Sequence, residues 1–245
     1  GSEMCIRDRT DKDVEITASK IATPLKIENG LPVDSLGSYF GSPYDGWTYN
    51  SGVETEELNK AMTIEDWYTA DLENNAVKWR ITNNGILQNG IIRNSVTNNG
   101  TVKDVTCTSD FINNGEIISG VFSRYAKFGK QNPAVRWVTV NGGTVNGMTT
   151  AGVVGEQEVT ITAPDGFKCW SVAGDTDFTL TEEQKHTNPL TLKLNGENKG
   201  TIILTAQSEE GYYPLNLTDG KAYSVTADGA KDKAVSYTHL RAHET

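Results

Sequence analysis

The sequence predicts an all-β fold: a short parallel β-solenoid of about four fifteen-residue coils, followed by a second, smaller β unit. Three observations point there. The tripeptide Asn-Asn-Gly returns every fifteen residues, with its first Asn at Asn83, Asn98 and Asn113. Between these markers, apolar residues recur in constant register. The chain is also rich in Gly, Asn, Thr and Val and short of long stretches with helical apolar periodicity.

The ends are set aside first, because non-native segments do not belong in fold reasoning. Residues 1–9 and 235–245 back-translate to one oligonucleotide read in opposite directions, and it resembles the adapter of transposase-based sequencing libraries. They are read as adapter tails, and residues 10–234 as an internal piece of a longer gene from environmental or metagenomic DNA. Without the tails, Cys5, His239 and His243 drop out and His186, Cys107 and Cys169 stay. Two cysteines in different units make neither a disulfide framework nor a zinc site. A net charge of −10, with no clustering of Lys and Arg, argues against a nucleic-acid partner. No apolar run approaches the roughly 20 residues of a membrane-spanning helix.

With the first Asn as position zero, position four holds Leu87, Val102 and Ile117. Position nine holds Ile92, Cys107 and Phe122, and position thirteen Val96, Phe111 and Ala126. One unit earlier the same positions hold Leu72, Val77 and Ile81, so the array is predicted over residues 68–127. Spacings of four and five do not sustain a helical period. They suit a coil of three short strands, each sending one side chain inward. Coils stacked about 4.8 Å apart would place the three Asn in a side-chain ladder at one corner. Gly85, Gly100 and Gly115 would supply the positive φ that corners often require. An antiparallel meander with three Asn-Gly hairpin turns is the competing arrangement; the constant register of three columns favours the solenoid. Cys107 falls in an inward column, as a small hydrophobe.

Around this array, residues 10–67 are read as a β-rich cap and 128–134 as a linker. In residues 135–208, "VRWVTVNGGTVNG" reads as strand, turn, strand, with turns at Asn141-Gly142 and Asn146-Gly147. An alternating strand over 158–163 leads through a Pro164-Asp165-Gly166 turn into a strand holding Phe167 and Trp170. A hairpin is expected around Asn195-Gly196, and 209–234 reads as the start of a truncated further repeat.

The stretch "VTNNGTVKDVTCTSDFINNGEIISGVF" resembles the "NNGTIxxGTF" solenoid repeats of large cell-surface proteins from gut Firmicutes. "DGWTYNSGVETEELN" is similar to the hairpin that leads into such arrays, with Glu56 and Glu57 where β-formers would be expected. The order "VTVNGGTVNG…GEQEVTITAPDGFKCWSV…GTIILTA" resembles the divergent internalin B-repeat family of bacterial surface proteins. That resemblance implies a β-grasp-like spacer or weak binding module over residues 135–208.

Residues that could carry chemistry are few. His186, in the polar run "TEEQKHTNP", is the one available base, and nothing places Cys107 or a serine beside it. Glu182-Glu183 and Glu56-Glu57 are adjacent acids, which on a strand face opposite sides, and a glycosidase needs two carboxylates across a cleft. Asp104 and Asp110 offer at most one turn of a polysaccharide-lyase-like array. "DLENN" and "DGAKDK" carry oxygen ligands without the spacing of a calcium loop. No catalytic residue, metal ligand or cofactor is assigned, and the chain is expected not to be an enzyme.

The remaining lead is aromatic. Tyr39, Phe40, Tyr44, Trp47, Tyr49, Trp67 and Tyr68 gather just before the solenoid. They either cap its open end or, through Tyr44, Trp47 and Trp67, hold a sugar. The expected role is a non-catalytic stalk or adhesion scaffold of a bacterial surface protein, extracellular and attached to the cell surface or cell wall. The alternative is a carbohydrate-binding module. The implied partners are a host or dietary glycan or a host surface protein.

Overall fold

The computed structural model describes residues 21–34, 36–50 and 60–208. Glu56-Glu57, "DGAKDK", the stretch read as a truncated repeat and both tails lie outside these residues. Apart from one turn of α-helix, Glu182–Lys185, and one 3-10 turn, Gly196–Asn198, the described elements are strands.

Between residues 68 and 127 the chain winds as a parallel β-solenoid. Strand Ile86–Ile92 pairs in parallel with Thr101–Cys107, with Leu87 opposite Val102 and Ile92 opposite Cys107. Thr101–Cys107 pairs onward with Glu116–Ile117 and Gly120–Ser123, which sets Ile117 and Phe122 in the same columns. The other wall stacks Arg80–Asn83, Val96–Asn98 and Phe111–Asn113. Parallel pairing throughout excludes the meander. The three predicted columns are buried from Leu87 to Phe122, each large apolar side chain adding about 1.5–3 kcal/mol of burial.

The first coil departs from the expected register. Leu87 pairs with Ala70, not Leu72, while Ile92 still pairs with Val77. Glu73 and Asn74, both with positive φ, accommodate the extra residues in a bulge. Leu72 remains buried, pressed against Gly90, where a Cβ would lie 2.4 Å from its Cδ1. Asn74, Asn89 and Asp104 recur at the fifteen-residue spacing with φ of 62°, 54° and 51°. Asn and Asp tolerate this left-handed region best among non-glycine residues, so this column bends each coil.

The Asn-Asn-Gly corner is built differently from expectation in one respect. Asn83 Nδ2 donates to Asn98 Oδ1 at 2.7 Å, and Asn98 Nδ2 to Asn113 Oδ1 at 2.7 Å, all three side chains being buried. The same amides also donate to carbonyls of Thr101, Gly100 and Glu116. A second, exposed ladder joins Asn84, Asn99 and Asn114 at 2.9 Å. Gly85, Gly100 and Gly115, however, are not among the positive-φ residues. Their requirement is steric: a Cβ on Gly100 would lie 2.0 Å from Gly85 O, and one on Gly115 2.1 Å from Gly100 O. Stacking brings the coils too close at this corner for any side chain.

Both ends of the solenoid are covered. At the start, Ala61–Ile64 joins the wall in parallel, and Trp47–Asn50 then Gly41–Ser42 extend it antiparallel. At the finish, Gln131 Oε1 accepts from Ile117 N at 2.7 Å and from Asn113 Nδ2 at 3.3 Å, continuing the ladder with a residue that is not Asn.

The solenoid's longer wall runs on into the second unit without a break. Strand Thr150–Val154 pairs antiparallel with both Gly120–Ser123 and Arg136–Asn141. Arg136–Asn141 lies parallel to Gly200–Ser208, which pairs antiparallel with Phe167–Gly174. A three-stranded sheet of Thr144–Val145, Glu156–Thr162 and Leu190–Asn195 packs against this one. Val138, Val159, Ile161, Trp170, Leu192 and Ile202 fill the space between. The turns at Gly142, Asn146-Gly147 and Gly166 have the expected positive φ.

Asn195-Gly196 is not a hairpin. Leu190–Asn195 pairs with Glu156–Thr162, and Gly200–Ser208 belongs to the other sheet. Asn195 instead caps the 3-10 turn, accepting from Glu197 N at 2.9 Å, and the turn carries the chain across the core. Glu182 and Glu183 sit on a helix rather than a strand, because Thr181 and Gln184 form a capping box around them.

Candidate functional site

The aromatic group before the solenoid is divided by the fold. Trp47 and Tyr49 alternate on one strand and point into the core, where Tyr49 meets Trp79 edge to face at 5.8 Å. Trp47 is 2% exposed and offers no ring face to a sugar, which corrects its place among the predicted contacts. Tyr44 is 94% exposed and Trp67 41%, with Phe40 and Tyr39 also at the surface. Tyr44 occupies the turn between Gly41–Ser42 and Trp47–Asn50, closed by Asp45 N to Ser42 O at 2.9 Å. Trp67 lies in the turn that precedes Tyr68–Asp71, and Glu65 N donates to Gly46 O at 2.7 Å to hold the two turns together. Tyr68 packs beneath Gly46; burial, then the Asp45 charge, push its hydroxyl up to about 12. The cap and the exposed rings are therefore parts of one feature.

The other sequence candidates take structural roles. Asp71 accepts from Glu73 N, Gln88 Nε2 and Asn89 Nδ2 at 2.7–2.9 Å, so the "DLENN" oxygens serve the bulge. Burial alone would raise its carboxyl, but these three hydrogen bonds outweigh it and hold the group below the usual range. A depressed folded pKa means stability present above the unfolded value of about 3.9 and lost as pH falls through the folded one. We expect Asp71→Asn to destabilise the protein at neutral pH and the gap to close in acid; melting curves at several pH values check this, and a constant gap would refute it.

Asp104 accepts from Ser119 Oγ at 2.6 Å and from Gln157 Nε2 at 2.9 Å, tying the solenoid to the second unit. His186 caps the short helix, its Nδ1 3.1 Å from Lys168 O. Cys107 is buried in its column and burial pushes its thiol up to about 11. Since thiolate is the reactive form, native protein exposed to iodoacetamide at about pH 8 should carry no label on Cys107. Peptide mapping before and after denaturation tests it; labelling of Cys107 in the native state would contradict the column assignment.

Among the described residues no group of three or more His, Cys, Asp or Glu is placed to hold a metal ion, and no helix is long and apolar enough to cross a membrane. Arg136, 3% exposed, pairs with Asp177 at 2.9 Å and lies over the Phe178 ring. Comparison of the chain with family models, curated proteins and solved structures gives no match. What defines its class is the β-solenoid with a second β unit continuous with it.

Proposed function

We propose that this segment is a non-catalytic scaffold of a bacterial cell-surface protein, a stalk or adhesion piece outside the cell that carries other domains at a fixed distance. The observation that carries the reading is the unbroken sheet from the solenoid into the second unit, spliced by Thr150–Val154. A joint made of ladder hydrogen bonds resists bending where a flexible linker would not. The resemblance of the Asn-Asn-Gly units to surface-protein repeats, and of residues 135–208 to the internalin B-repeat, supports the same reading. Small-angle scattering tests the mechanical part. A scaffold gives one rigid elongated form, and a broad distribution of inter-unit distances would defeat it.

The exposed Tyr44 and Trp67 on paired turns support a second reading, a carbohydrate-binding module for a host or dietary glycan. Here Tyr44→Ala and Trp67→Ala should abolish binding on a glycan array without changing the melting temperature. A host surface protein as partner would instead show as cell binding that neither substitution nor glycan removal affects.

A further inference from the structure

The sheet shared by the solenoid and the second unit ends on strand Phe167–Gly174, which has a neighbour on one side only. Asp175 N donates to Thr201 O at 2.9 Å, one step beyond the pairing of Gly174 with Ile202. Backbone groups alternate in direction along an antiparallel strand. Ala173 and Ser171 therefore also face Gly200–Ser208, while Trp170 and Val172 turn their N–H and C=O outward. Lys168 has the same outward parity, and His186 Nδ1 lies 3.1 Å from its carbonyl. No described residue meets the backbone groups of Trp170 or Val172 on that side. A groove of about 580 Å³ runs along this edge. Every residue from Trp170 to Gly174 lines it, as a lateral edge requires and a sheet face does not, with Phe178 and Leu180 beneath.

Native sheets guard such edges with charge, proline, bulges or a covering segment. Other edges of this protein follow that rule. Leu190–Asn195 comes directly after Pro189 and presents Lys193 to solvent. Ile21–Pro24 closes on a proline. On Phe167–Gly174 the register shift between Phe167 and Cys169, together with His186, guards the first residues. From Trp170 to Gly174 there is neither charge nor proline, and the exposed residues Ser171, Ala173 and Gly174 are all small. In a chain of net charge −10, two copies can approach along this stretch without setting carboxylate against carboxylate.

We propose that two copies of the chain join here, edge to edge and antiparallel, so that the eleven-stranded sheet continues across a two-fold axis. With the axis at Ser171, Trp170 lies opposite the partner's Val172 and Val172 opposite the partner's Trp170. Each of these pairs exchanges two hydrogen bonds. The contact is self-complementary, since each copy supplies the donors and acceptors that the other lacks. It is also closed, because pairing uses up the unguarded edge and gives a dimer rather than a fibre. Pairing this short buries less than the roughly 1,000 Å² of a stable interface. The association is therefore weak, with a Kd of about 10–1,000 μM. The joint is independent of the scaffold reading, which a strictly monomeric chain would leave in place.

Sedimentation velocity of the full chain between about 5 and about 500 μM tests the proposal. The parent should shift from monomer towards dimer with rising concentration, and no larger species should form. Ser171 is exposed and would face its own copy across the axis. Ser171→Lys and Ser171→Glu should therefore each stay monomeric through like-charge repulsion, and an equal mixture of the two should dimerise at least as tightly as the parent. Val172→Pro removes an N–H that the fold does not use, so it should weaken dimerisation about tenfold or more at nearly unchanged melting temperature. The charge exchange at Ser171 decides the matter even if the proline variant misfolds. A parent still monomeric at about 500 μM, a Ser171→Lys dimer as tight as the parent's, or no rescue in the mixture would each overturn the proposal. A monomeric parent whose edge binds an extended peptide of alternating Val and Thr would also overturn it, and would assign the groove to a foreign strand.

Discussion

Asn98→Asp, which exchanges one amide nitrogen for oxygen, is expected to destabilise the protein by about 3–5 kcal/mol at neutral pH. Asn98 Nδ2 donates to Asn113 Oδ1, Gly100 O and Glu116 O, all within 3.2 Å. A carboxylate oxygen there would face three acceptors at zero solvent exposure. The introduced carboxyl therefore favours its neutral form, and its folded pKa rises above the unfolded value of about 3.9. An acid with a raised folded pKa costs stability increasingly as pH climbs above the unfolded value, and the cost fades below it. N98D should thus melt far below the parent at pH 7 and approach it near pH 4. Asn98→Ala serves as the control: it removes the same hydrogen bonds without adding charge, so its deficit should vary little with pH. If the two variants behaved alike across pH, the buried ladder would not have the polarity described.

Gly100→Ala carries the second large effect. At ordinary negative φ, Gly→Ala usually stabilises by about 0.4–1 kcal/mol, through the unfolded chain. Gly100 has no positive φ, so conformational preference alone predicts a gain. The geometry predicts the opposite. The new methyl would sit 2.0 Å from Gly85 O and 2.6 Å from Asn84 O, both backbone atoms held in the stack. Neither can move without parting the coils, so a loss of about 3 kcal/mol or more is expected. Gly147→Ala is the informative contrast. Its φ is +79° with nothing within 4 Å of an added Cβ, so only a strain of about 1–2 kcal/mol applies. Denaturant unfolding of both variants decides the matter; a milder effect at Gly100 than at Gly147 would refute the steric account.

Legibility followed period. The Leu87, Ile92 and Val96 columns and the Asn83–Asn98–Asn113 ladder were readable because each residue meets its own kind one coil away, and spacing alone reports that. Features that break the period left no such trace. Leu72 kept the right spacing on paper, but Glu73 and Asn74 absorb two residues and hand its column to Ala70. Gln131 extends the ladder from outside the repeat, and only its donor and acceptor chemistry shows why. The recurrence of Gly85, Gly100 and Gly115 marks them as necessary, but the reason is steric and not a positive φ, and a sequence does not show how near the next coil lies. Asn195-Gly196 has the composition of a hairpin turn, yet pairing across the core decides which strands meet. The aromatic group is visible as a cluster, whereas the burial of Trp47 depends on the alternation of strand Trp47–Asn50 and the exposure of Tyr44 on the turn before it, and the sequence does not mark where the one ends and the other begins.

The Asn ladder also bears on how such a chain can change over generations. Each Asn-Asn-Gly corner offers the next the same amide, the same carbonyl and the same bare glycine, fifteen residues on. Unequal recombination that copies one whole unit inserts a rung whose upper and lower faces already match, and lengthens the rod by about 4.8 Å. Slippage by any other length sets Asn against an apolar neighbour and is purged. Rod length is therefore heritable in whole steps, and populations carrying this gene should vary in it by integers.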